Sequence, residues 1–416
     1  MSCFLHRIHW PTTVFLPLLC LSVTSAGMAQ STPAKEVRST ATRSIGDVAT
    51  ESFWSNTGSR LAPGWRFESV GYKRDVGRRR VIEVGAAGDA FCTQPSKGQG
   101  AVLRGASPTA RGDLISPSFA LAPFQWVEVK VTYRRESGKP MAFVGLRPTK
   151  DRAQVDLEFL PLTKSKRLRT ATVRLHSGAS KGPYSLALSI GGEGALQIAA
   201  ITASIGEAYK RPTKPIFVLD IRTTNPTGKP NPNIARVASV FGFPSVEYLH
   251  YSEFSTSKLD AIDPAVIVLP GLVSLKGSKR SKIDAAVREA VRFDAPVVGV
   301  CLGHQVLART QGAKLRRGTA EWGPTEIRVV KPDRLFDGLP RIRSFHASES
   351  HRFEVERAVG KMELIASSDT CATQVFRYRG KRWYTFQGHI ERGWEVASPE
   401  ACLLWKNMLR EWDVIE

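Results

Sequence analysis

Pro-Val-Val-Gly-Val-Cys-Leu-Gly-His-Gln, residues 296–305, is the stretch that decides how the C-terminal half of the chain folds. Its apolar start is typical of a buried parallel strand, and the residues that follow have helical character. Cys301 therefore falls on a strand-to-helix turn, between Gly299 and Gly303, which let the two backbone segments pass closely. The helix N-terminus favours a thiolate, and the backbone N–H of Leu302 is left free to bind a developing oxyanion. The stretch predicts a nucleophilic cysteine.

A buried structural cysteine is the alternative interpretation of Cys301, but such a residue does not need glycines on both sides. The pattern Gly-x-Cys-x-Gly-x-Gln resembles the nucleophile motif of class I glutamine amidotransferase domains. The resemblance covers about residues 215–416 and implies a flavodoxin-like α/β fold with a mostly parallel sheet. In that family the glutamine of the motif, here Gln305, helps to hold the amino-acid end of the substrate. Gln305 lies one helical turn after Cys301 and so faces the same pocket.

A second segment, residues 386–391, reads Phe-Gln-Gly-His-Ile-Glu and resembles the family's Phe-Gln-x-His-Pro-Glu. On an extended strand, His389 and Glu391 would lie side by side, so that the carboxylate orients the imidazole. The resemblance implies a catalytic triad of Cys301, His389 and Glu391. Two positions depart from the family pattern, with isoleucine for the usual proline and glycine for a bulky residue, at Ile390 and Gly388.

A buried strand is predicted for residues 265–269, and it runs into Pro-Gly-Leu at residues 270–272. In the family this turn is Gly-Gly-Pro, and one of its backbone N–H groups completes the oxyanion hole. The resemblance therefore implies that Gly271 is the second donor beside Leu302. Leu272 does not match the family pattern, so we expect the hole to differ in shape.

His346 and His351 are rival bases for the reaction. Neither is followed by a carboxylate two residues later, which ranks both below His389. The histidines show no metal-ligand spacing and the sequence contains no nucleotide-binding motif, so we expect neither a metal nor another cofactor. The expected chemistry is attack of the Cys301 thiolate on a glutamine γ-amide or a γ-glutamyl bond, followed by hydrolysis of the thioester.

Three functions fit this chemistry. The leading hypothesis is an exported γ-glutamyl amidohydrolase that acts on a small-molecule or peptide substrate. The second is a glutaminase component that feeds ammonia to a separate synthase subunit, as family members do. The third is a binding protein that retains the fold without turnover. The actual substrate, the fate of the ammonia and the oligomeric state stay open at this stage.

The N-terminus has the pattern of a secretory signal peptide. Residues 1–29 contain Arg7, an apolar run at 14–23, and small residues that end in Ala26 and Ala29. An apolar run of about ten residues is too short to span a bilayer. We therefore expect export to the periplasm or the medium, with cleavage after one of the two alanines. An uncleaved anchor is the alternative.

The rest of the N-terminal half is divided by composition. Residues 30–50, rich in Ser, Thr and Ala, predict a linker, and residues 51–207 predict an all-β sandwich. The order of its elements resembles the jelly-roll modules of secreted carbohydrate-active enzymes, which implies contact with polysaccharide or cell wall. Trp54 or Trp65 is a candidate for stacking on sugar rings, although such aromatic residues are more often core. A folded spacer that binds nothing is the alternative.

The predicted strands of this sandwich are 66–70, 80–84, 126–133, 142–146, 168–175, 184–189 and 196–204. A short linker, residues 208–214, leads to residues 215–416, where strands and helices alternate. In that part, Ser281 and Asp284 predict a capping box at the start of a helix.

The formal net charge is +21, from 59 basic and 38 acidic residues. The basic residues are scattered and no nucleic-acid motif accompanies them, so we do not favour nucleic-acid binding. A solvated basic surface, or attraction to anionic polysaccharide or membrane, fits equally well. Beyond the predicted signal peptide the chain contains four cysteines, too few for a disulfide framework, and their pairing is left open: Cys92, Cys301, Cys371 and Cys402.

Overall fold

The structure, a computed structural model, describes part of the 416-residue chain. The described residues are 43–44, 65–69, 72–75, 81–84, 90–93, 100–107, 110–149, 155–162, 167–179, 181–222, 231–271, 279–339, 344–392 and 399–416. The predicted signal peptide, Trp54 and Leu272 lie outside these ranges.

The first half of the described chain, here called the β region, contains antiparallel strands. One sheet has the order β12-β9-β14-β6-β5 with β1 also on β14, a second has the order β11-β10-β13-β7-β2 with β8 also on β13, and β3 pairs with β4. The strands are β1 Arg43–Ser44, β2 Arg66–Ser69, β3 Tyr72–Asp75, β4 Val81–Val84, β5 Ala90–Thr93, β6 Ala101–Gly105, β7 Arg111–Ile115, β8 Phe119–Leu121, β9 Gln125–Gly138, β10 Met141–Pro148, β11 Asp156–Phe159, β12 Arg169–His176, β13 Gly182–Gly191 and β14 Gly194–Ala208.

The two larger sheets of the β region share one apolar core. In β9, the buried residues Val127, Val129 and Val131 alternate with more exposed ones, which is the period of two that places one face inward. They join residues of β10 and β13 in the same cluster, and Trp65 packs against it. Each of the seven predicted strands overlaps an observed strand. The jelly-roll order stays a prediction.

The second half of the described chain, here called the α/β region, is built on one nine-stranded sheet. Its order is β16-β15-β17-β18-β23-β22-β21-β19-β20. The strands are β15 Ile216–Asp220, β16 Val246–His250, β17 Val266–Leu269, β18 Val297–Val300, β19 Leu315–Val329, β20 Ser344–Val355, β21 Met362–Ser367, β22 Val375–Tyr378 and β23 Trp383–Phe386. The helices are α1 Pro232–Phe241, α2 Thr256–Ile262, α3 Arg280–Ala290, α4 Leu302–Thr310 and α5 Pro399–Glu411.

The sheet is mixed, so the prediction of a mostly parallel sheet is wrong. The pairs β16–β15, β15–β17, β17–β18 and β18–β23 are parallel, whereas β23–β22, β22–β21, β21–β19 and β19–β20 are antiparallel. The physical reason lies in the connections. Helices join the strands up to β18, which returns each strand in the same direction, whereas no α-helix separates the described strands from β19 to β23.

Apolar side chains on both faces of the sheet hold the helices. In β15, Ile216 and Val218 pack in one cluster with α1 and α5, while Phe217 and Leu219 pack in another with α2, α3 and α4. A strand buried on both faces has no polar alternation, which explains its continuous apolar sequence. Within the described residues, none of the helices is long and apolar enough to cross a bilayer.

Helix α1 ends at a glycine, whereas the start of α3 does not follow the predicted capping box. Gly242 adopts a left-handed conformation with φ of 75° after α1. The N-cap of α3 is Lys279, and no side chain caps that helix. Ser281 therefore lies inside the helix, and Asp284 instead forms an ion pair with Arg309 of α4. This tertiary contact replaces the predicted local hydrogen bond.

The β region and the α/β region meet at strand β11 and helix α5. Lys406 of α5 is 1% exposed and donates to Asp156 Oδ1 at 2.6 Å, Leu157 O at 3.0 Å and Glu158 Oε1 at 2.7 Å. Phe143, Leu157 and Phe159 pack in the same apolar cluster as α5. These contacts form a buried junction, and the three groups Lys406, Asp156 and Glu158 are called the junction cluster below.

Candidate active site

Cys301 occupies a strained turn between β18 and α4. The strand ends at Val300, and the cysteine has φ of 49° and ψ of −105°, a backbone conformation that residues with a side chain rarely adopt. Its N–H donates to Phe386 O at 2.7 Å, which attaches the turn to β23. Strain of this kind persists only where the surroundings enforce it, and it is concentrated at functional sites.

The two glycines beside Cys301 are required by close contacts. A Cβ on Gly303 would lie 2.0 Å from Leu269 O, and one on Gly299 would lie 2.8 Å from Thr385 Cγ2. Either substitution forces atoms to move. The close approach of α4 to β17 therefore depends on Gly303, as the sequence pattern predicts.

His389 and Glu391 lie together beyond the end of β23, but not on an extended strand as the sequence predicts. The strand ends at Phe386, and Ile390–Arg392 forms a 3-10 helix. His389 N–H donates to Ser348 O at 2.9 Å in an isolated antiparallel bridge. The turn after this bridge brings His389 Nδ1 to 2.7 Å from Glu391 Oε1. The neighbouring β20 therefore holds the backbone of His389.

The side chains of Cys301 and His389 converge beside Gly271. A Cβ built on Gly271 would lie 2.6 Å from His389 Cε1 and 2.7 Å from Cys301 Cβ. Burial alone would lower the pKa of His389, but Glu391 and the hydrogen-bonded Cys301 raise it to about 10. Burial would raise the pKa of Glu391, but His389 keeps it below its usual range. The site therefore favours an imidazolium beside a carboxylate.

The two backbone groups predicted for an oxyanion hole flank this pair. Leu302 begins α4, so its N–H belongs to the first turn, where N–H groups have no partner within the helix. Gly271 follows β17 and lies against both side chains. A tetrahedral intermediate on Cys301 would therefore form between a helix N-terminus and the Gly271 backbone.

Gln305 is buried, and its amide nitrogen contacts two oxygens of the protein. Its Nε2 donates to Phe353 O at 2.6 Å and to Gln387 Oε1 at 3.1 Å. Gln387 Nε2 in turn lies 3.9 Å from Cys301 Sγ. The two glutamines thus connect β20 with Cys301. Spacing alone did not single out Gln387, although it is part of the second motif.

Comparisons with known proteins identify this domain. Residues 231–401 match the family model described as Glutamine amidotransferase class-I. A GMP synthase subunit of Pyrococcus furiosus, named as glutamine-hydrolyzing, is 33% identical over 141 residues, which are 33% of this chain and 73% of that relative. The chain belongs to the class I glutamine amidotransferase family. The family prediction for the C-terminal half is thus confirmed.

Other similar proteins cover the same part of this class I amidotransferase. The protein of the same name from Methanobrevibacter smithii is 29% identical over 176 residues, which are 42% of this chain and 87% of that relative. A solved glutamine amidotransferase structure from Thermotoga maritima is 18% identical, covers 49% of this chain and 94% of its own, and has a TM-score of 0.36.

A second buried histidine of the amidotransferase domain, His351, has carboxylate partners that spacing did not reveal. His351 Nε2 lies 2.7 Å from Glu321 Oε2 and 3.2 Å from Glu349 Oε2. Burial would lower the pKa of His351, but these two carboxylates raise it to about 10. Glu321 lies opposite His351 on β19, so cross-strand register supplies it, whereas Glu349 precedes His351 by two residues on β20.

Glu321, His351 and Cys371 bring metal-ligand atoms within 4.8 Å of one another. The Glu321 carboxylate, however, already accepts hydrogen bonds from four side chains: Ser368, Thr370, Gln374 and His351. A protonated imidazole also disfavours a metal ion. Hydrogen bonding therefore accounts for this group of side chains. All four cysteines beyond the predicted signal peptide are free.

His346, the other rival base, is separated from this network. Its side chain is 46% exposed, and its Nδ1 lies 3.8 Å from Glu400 Oε1 of α5. The Glu400 carboxylate raises the pKa of His346, and burial acts against this rise. Among the histidines predicted as candidate bases, the structure thus places His389 against Cys301.

Proposed function

We propose that the amidotransferase domain is a cysteine hydrolase that cleaves the γ-amide of glutamine or a γ-glutamyl bond. One observation carries this proposal: Cys301 lies in a strained turn at a helix N-terminus and contacts His389, whose Nδ1 is 2.7 Å from Glu391. The relatives named glutamine-hydrolyzing support glutamine as the amide.

The first half-reaction forms a thioester. Because Glu391 engages Nδ1 of His389, Nε2 is left to hold the proton that the Cys301 thiol gives up, which leaves a thiolate beside the imidazolium. The thiolate attacks the γ-carbonyl carbon, and the N–H groups of Leu302 and Gly271 stabilise the oxyanion. His389 then returns its proton to the departing nitrogen, the C–N bond breaks, and ammonia or an amine leaves.

The second half-reaction releases glutamate. His389 takes a proton from a water molecule, and the hydroxide attacks the thioester carbonyl carbon at the same oxyanion hole. The C–S bond breaks and the proton returns to sulfur, which restores Cys301. In this scheme Gln305 acts in substrate binding through the segment around Phe353, whose carbonyl it contacts.

The direct test measures ammonia and glutamate released by the purified full chain from glutamine and from γ-glutamyl peptides. We expect turnover in the wild type and a loss of about 10⁴-fold or more in Cys301→Ala. Cys92→Ser is the matched control, because Cys92 lies in the β region and should leave the rate unchanged. Glutamine binding without any turnover would instead support a non-catalytic binding protein.

A second candidate function is the glutaminase component of a two-part synthase. The relatives favour it, because each is named as one subunit of a GMP synthase. In that case, ammonia release would rise sharply when a purified ATP-dependent synthase partner and its nucleotide substrates are added. A rate that stays the same would favour the free-standing hydrolase.

We also propose that the protein is exported and that the β region contacts polysaccharide or cell wall. The composition of residues 1–29 supports export, and the order of predicted strands in 51–207 supports the second part. Mass spectrometry of the mature protein should find a start at residue 27 or 30, and a start at residue 1 would contradict cleavage. Failure to bind polysaccharide or peptidoglycan would leave the β region a folded spacer.

A further inference from the structure

Glu349 is a buried carboxylate whose position the reaction scheme does not yet explain. Its side chain is 0% exposed, and its Oε2 forms an ion pair with His351 Nε2 at 3.2 Å. Neither oxygen meets the geometry of a hydrogen bond within the described residues. A buried carboxylate without full hydrogen bonding is costly, which calls for a reason to retain it.

The other neighbour of Glu349 is the backbone that leads into His389. A Cβ built on Gly388 would lie 2.5 Å from Glu349 Oε1 and 2.6 Å from Ala347 Cβ. A bulky residue at position 388, which the family pattern has, therefore cannot coexist with this placement of Glu349. The glycine and the glutamate form one structural unit.

The backbone of β20 attaches this unit to the catalytic histidine. Ser348, the residue before Glu349, accepts the N–H of His389 at 2.9 Å. Two consecutive residues of β20 thus contact the Gly388–His389 segment: Ser348 binds His389, and the Glu349 carboxylate packs against Gly388. A change in the Glu349 side chain should be transmitted directly to the placement of the imidazole.

The charges around Glu349 also connect this residue with His389. The charged groups that face it are His351 of its own strand, Glu321 of β19, and His389 after β23. Burial holds the pKa of Glu349 above its usual range, and Glu321 adds to this rise, whereas His351 and His389 act against it. When Glu349 is ionised, it and a protonated His389 stabilise each other.

We propose that Glu349 is a positioning residue for the amide-cleaving reaction, which fills the space left by Gly388 and adds a second carboxylate that favours the imidazolium of His389. This proposal rests on the proposed function for its kinetic part. It differs from the role of Glu391, which contacts the imidazole directly.

The test measures alkylation of Cys301 by iodoacetamide between pH 5 and 10, together with kcat and KM for glutamine. In Glu349→Gln, which keeps the shape and removes the charge, we expect the alkylation midpoint to fall by about one pH unit, because loss of a nearby negative charge favours proton loss from the Cys301–His389 pair. We expect kcat to fall by about 10- to 100-fold with KM nearly unchanged. Glu356→Gln is the matched control, because Glu356 is exposed just beyond β20.

Alkylation tests the role of Glu349 separately from the proposed hydrolase activity, because it reports on the Cys301–His389 pair even if the protein hydrolyses no glutamine. If Glu349→Gln does not fold, Glu349→Met removes the charge without an unpaired polar group and should show the same shift. An alkylation profile like that of the wild type in the folded variant would overturn the proposal. So would a fall in kcat that only reflects a lower melting temperature.

Discussion

Two buried charge clusters of this protein differ in how completely their polar groups are hydrogen-bonded. In the junction cluster, Lys406 Nζ has three acceptors at 2.6, 2.7 and 3.0 Å, which match the three donors of an ammonium group. In the proposed catalytic cluster of Cys301, His389 and Glu391, Glu391 Oε2 has no hydrogen-bond partner within the described residues, and Cys301 has a strained backbone. Full hydrogen bonding marks the cluster that joins two regions, while strain and incomplete hydrogen bonding mark the one that we propose acts in catalysis.

The two clusters also differ in how far apart their members lie in sequence. His389 and Glu391 are two residues apart, whereas Lys406 and Asp156 are separated by 250 residues. Burial would raise the pKa of Asp156, but Lys406 and His176 keep it below its usual range. We therefore expect changes at Cys301, His389 or Glu391 to affect the reaction rate, and changes in the junction cluster to affect the free energy of unfolding.

The largest effect is expected from His389→Ala. Without the base, the rate of glutamine hydrolysis should fall by about 10⁴-fold or more, since members of a catalytic unit cannot replace one another. Thermal unfolding of the same preparation checks that the variant is folded, so that the measured fall is a fall in the rate per folded molecule. A rate loss below tenfold would break the assignment of the catalytic cluster.

Next in size is the effect of Lys406→Met on the free energy of unfolding. The variant leaves Asp156 buried without its cation, so we expect a loss of about 3–5 kcal/mol in urea denaturation. The rate per folded molecule should stay within about twofold of the wild type. The double variant Lys406→Met/Asp156→Leu should recover much of the loss. No loss in the single variant would contradict the stabilising role of the junction cluster.

A smaller effect is expected in how the destabilisation by Lys406→Met depends on pH. In the wild type the pKa of Asp156 is depressed, so its contribution is present above about pH 4 and is lost as the pH falls through the folded pKa. In Lys406→Met, burial should raise that pKa, and acid lets Asp156 become neutral. The destabilisation should therefore shrink by about 1–2 kcal/mol between pH 7 and pH 4.5. Urea curves at both values test this, and a constant difference would refute it.

The smallest effect is expected from Arg292→Ala, which removes an exposed ion pair. Arg292 and Glu289 lie 2.6 Å apart, with side chains 73% and 42% exposed. Solvent screens such a pair, so the free energy of unfolding should change by about 0.5 kcal/mol at most. Measured beside Lys406→Met, this variant tests whether burial, and not ion pairing as such, gives the junction cluster its effect.

Much of the fold and part of the candidate site could be predicted from local sequence. The apolar run before Cys301, its two glycines and the seven predicted β segments depend on backbone geometry and on alternation within a few residues. The antiparallel half of the large sheet could not be predicted in this way. Its pairing depends on which strands meet in space, and the family's parallel strands suggested the wrong direction.

The same limit applied to the second motif and to its neighbours. Spacing placed His389 beside Glu391 on a strand, whereas a 3-10 turn, held by Ser348, brings them together. Spacing also ranked His351 low because no carboxylate follows it closely. Its partners, Glu321 and Glu349, come from the facing strand and from the preceding part of its own strand.

Short patterns with a local physical cause were enough to predict the turn at Cys301, the family of the C-terminal half and the residue types of the candidate triad. No such pattern predicts that Glu349 packs against Gly388 or that Lys406 joins the two regions. Those contacts unite residues distant in sequence, and burial makes their charges effective only after the chain has folded.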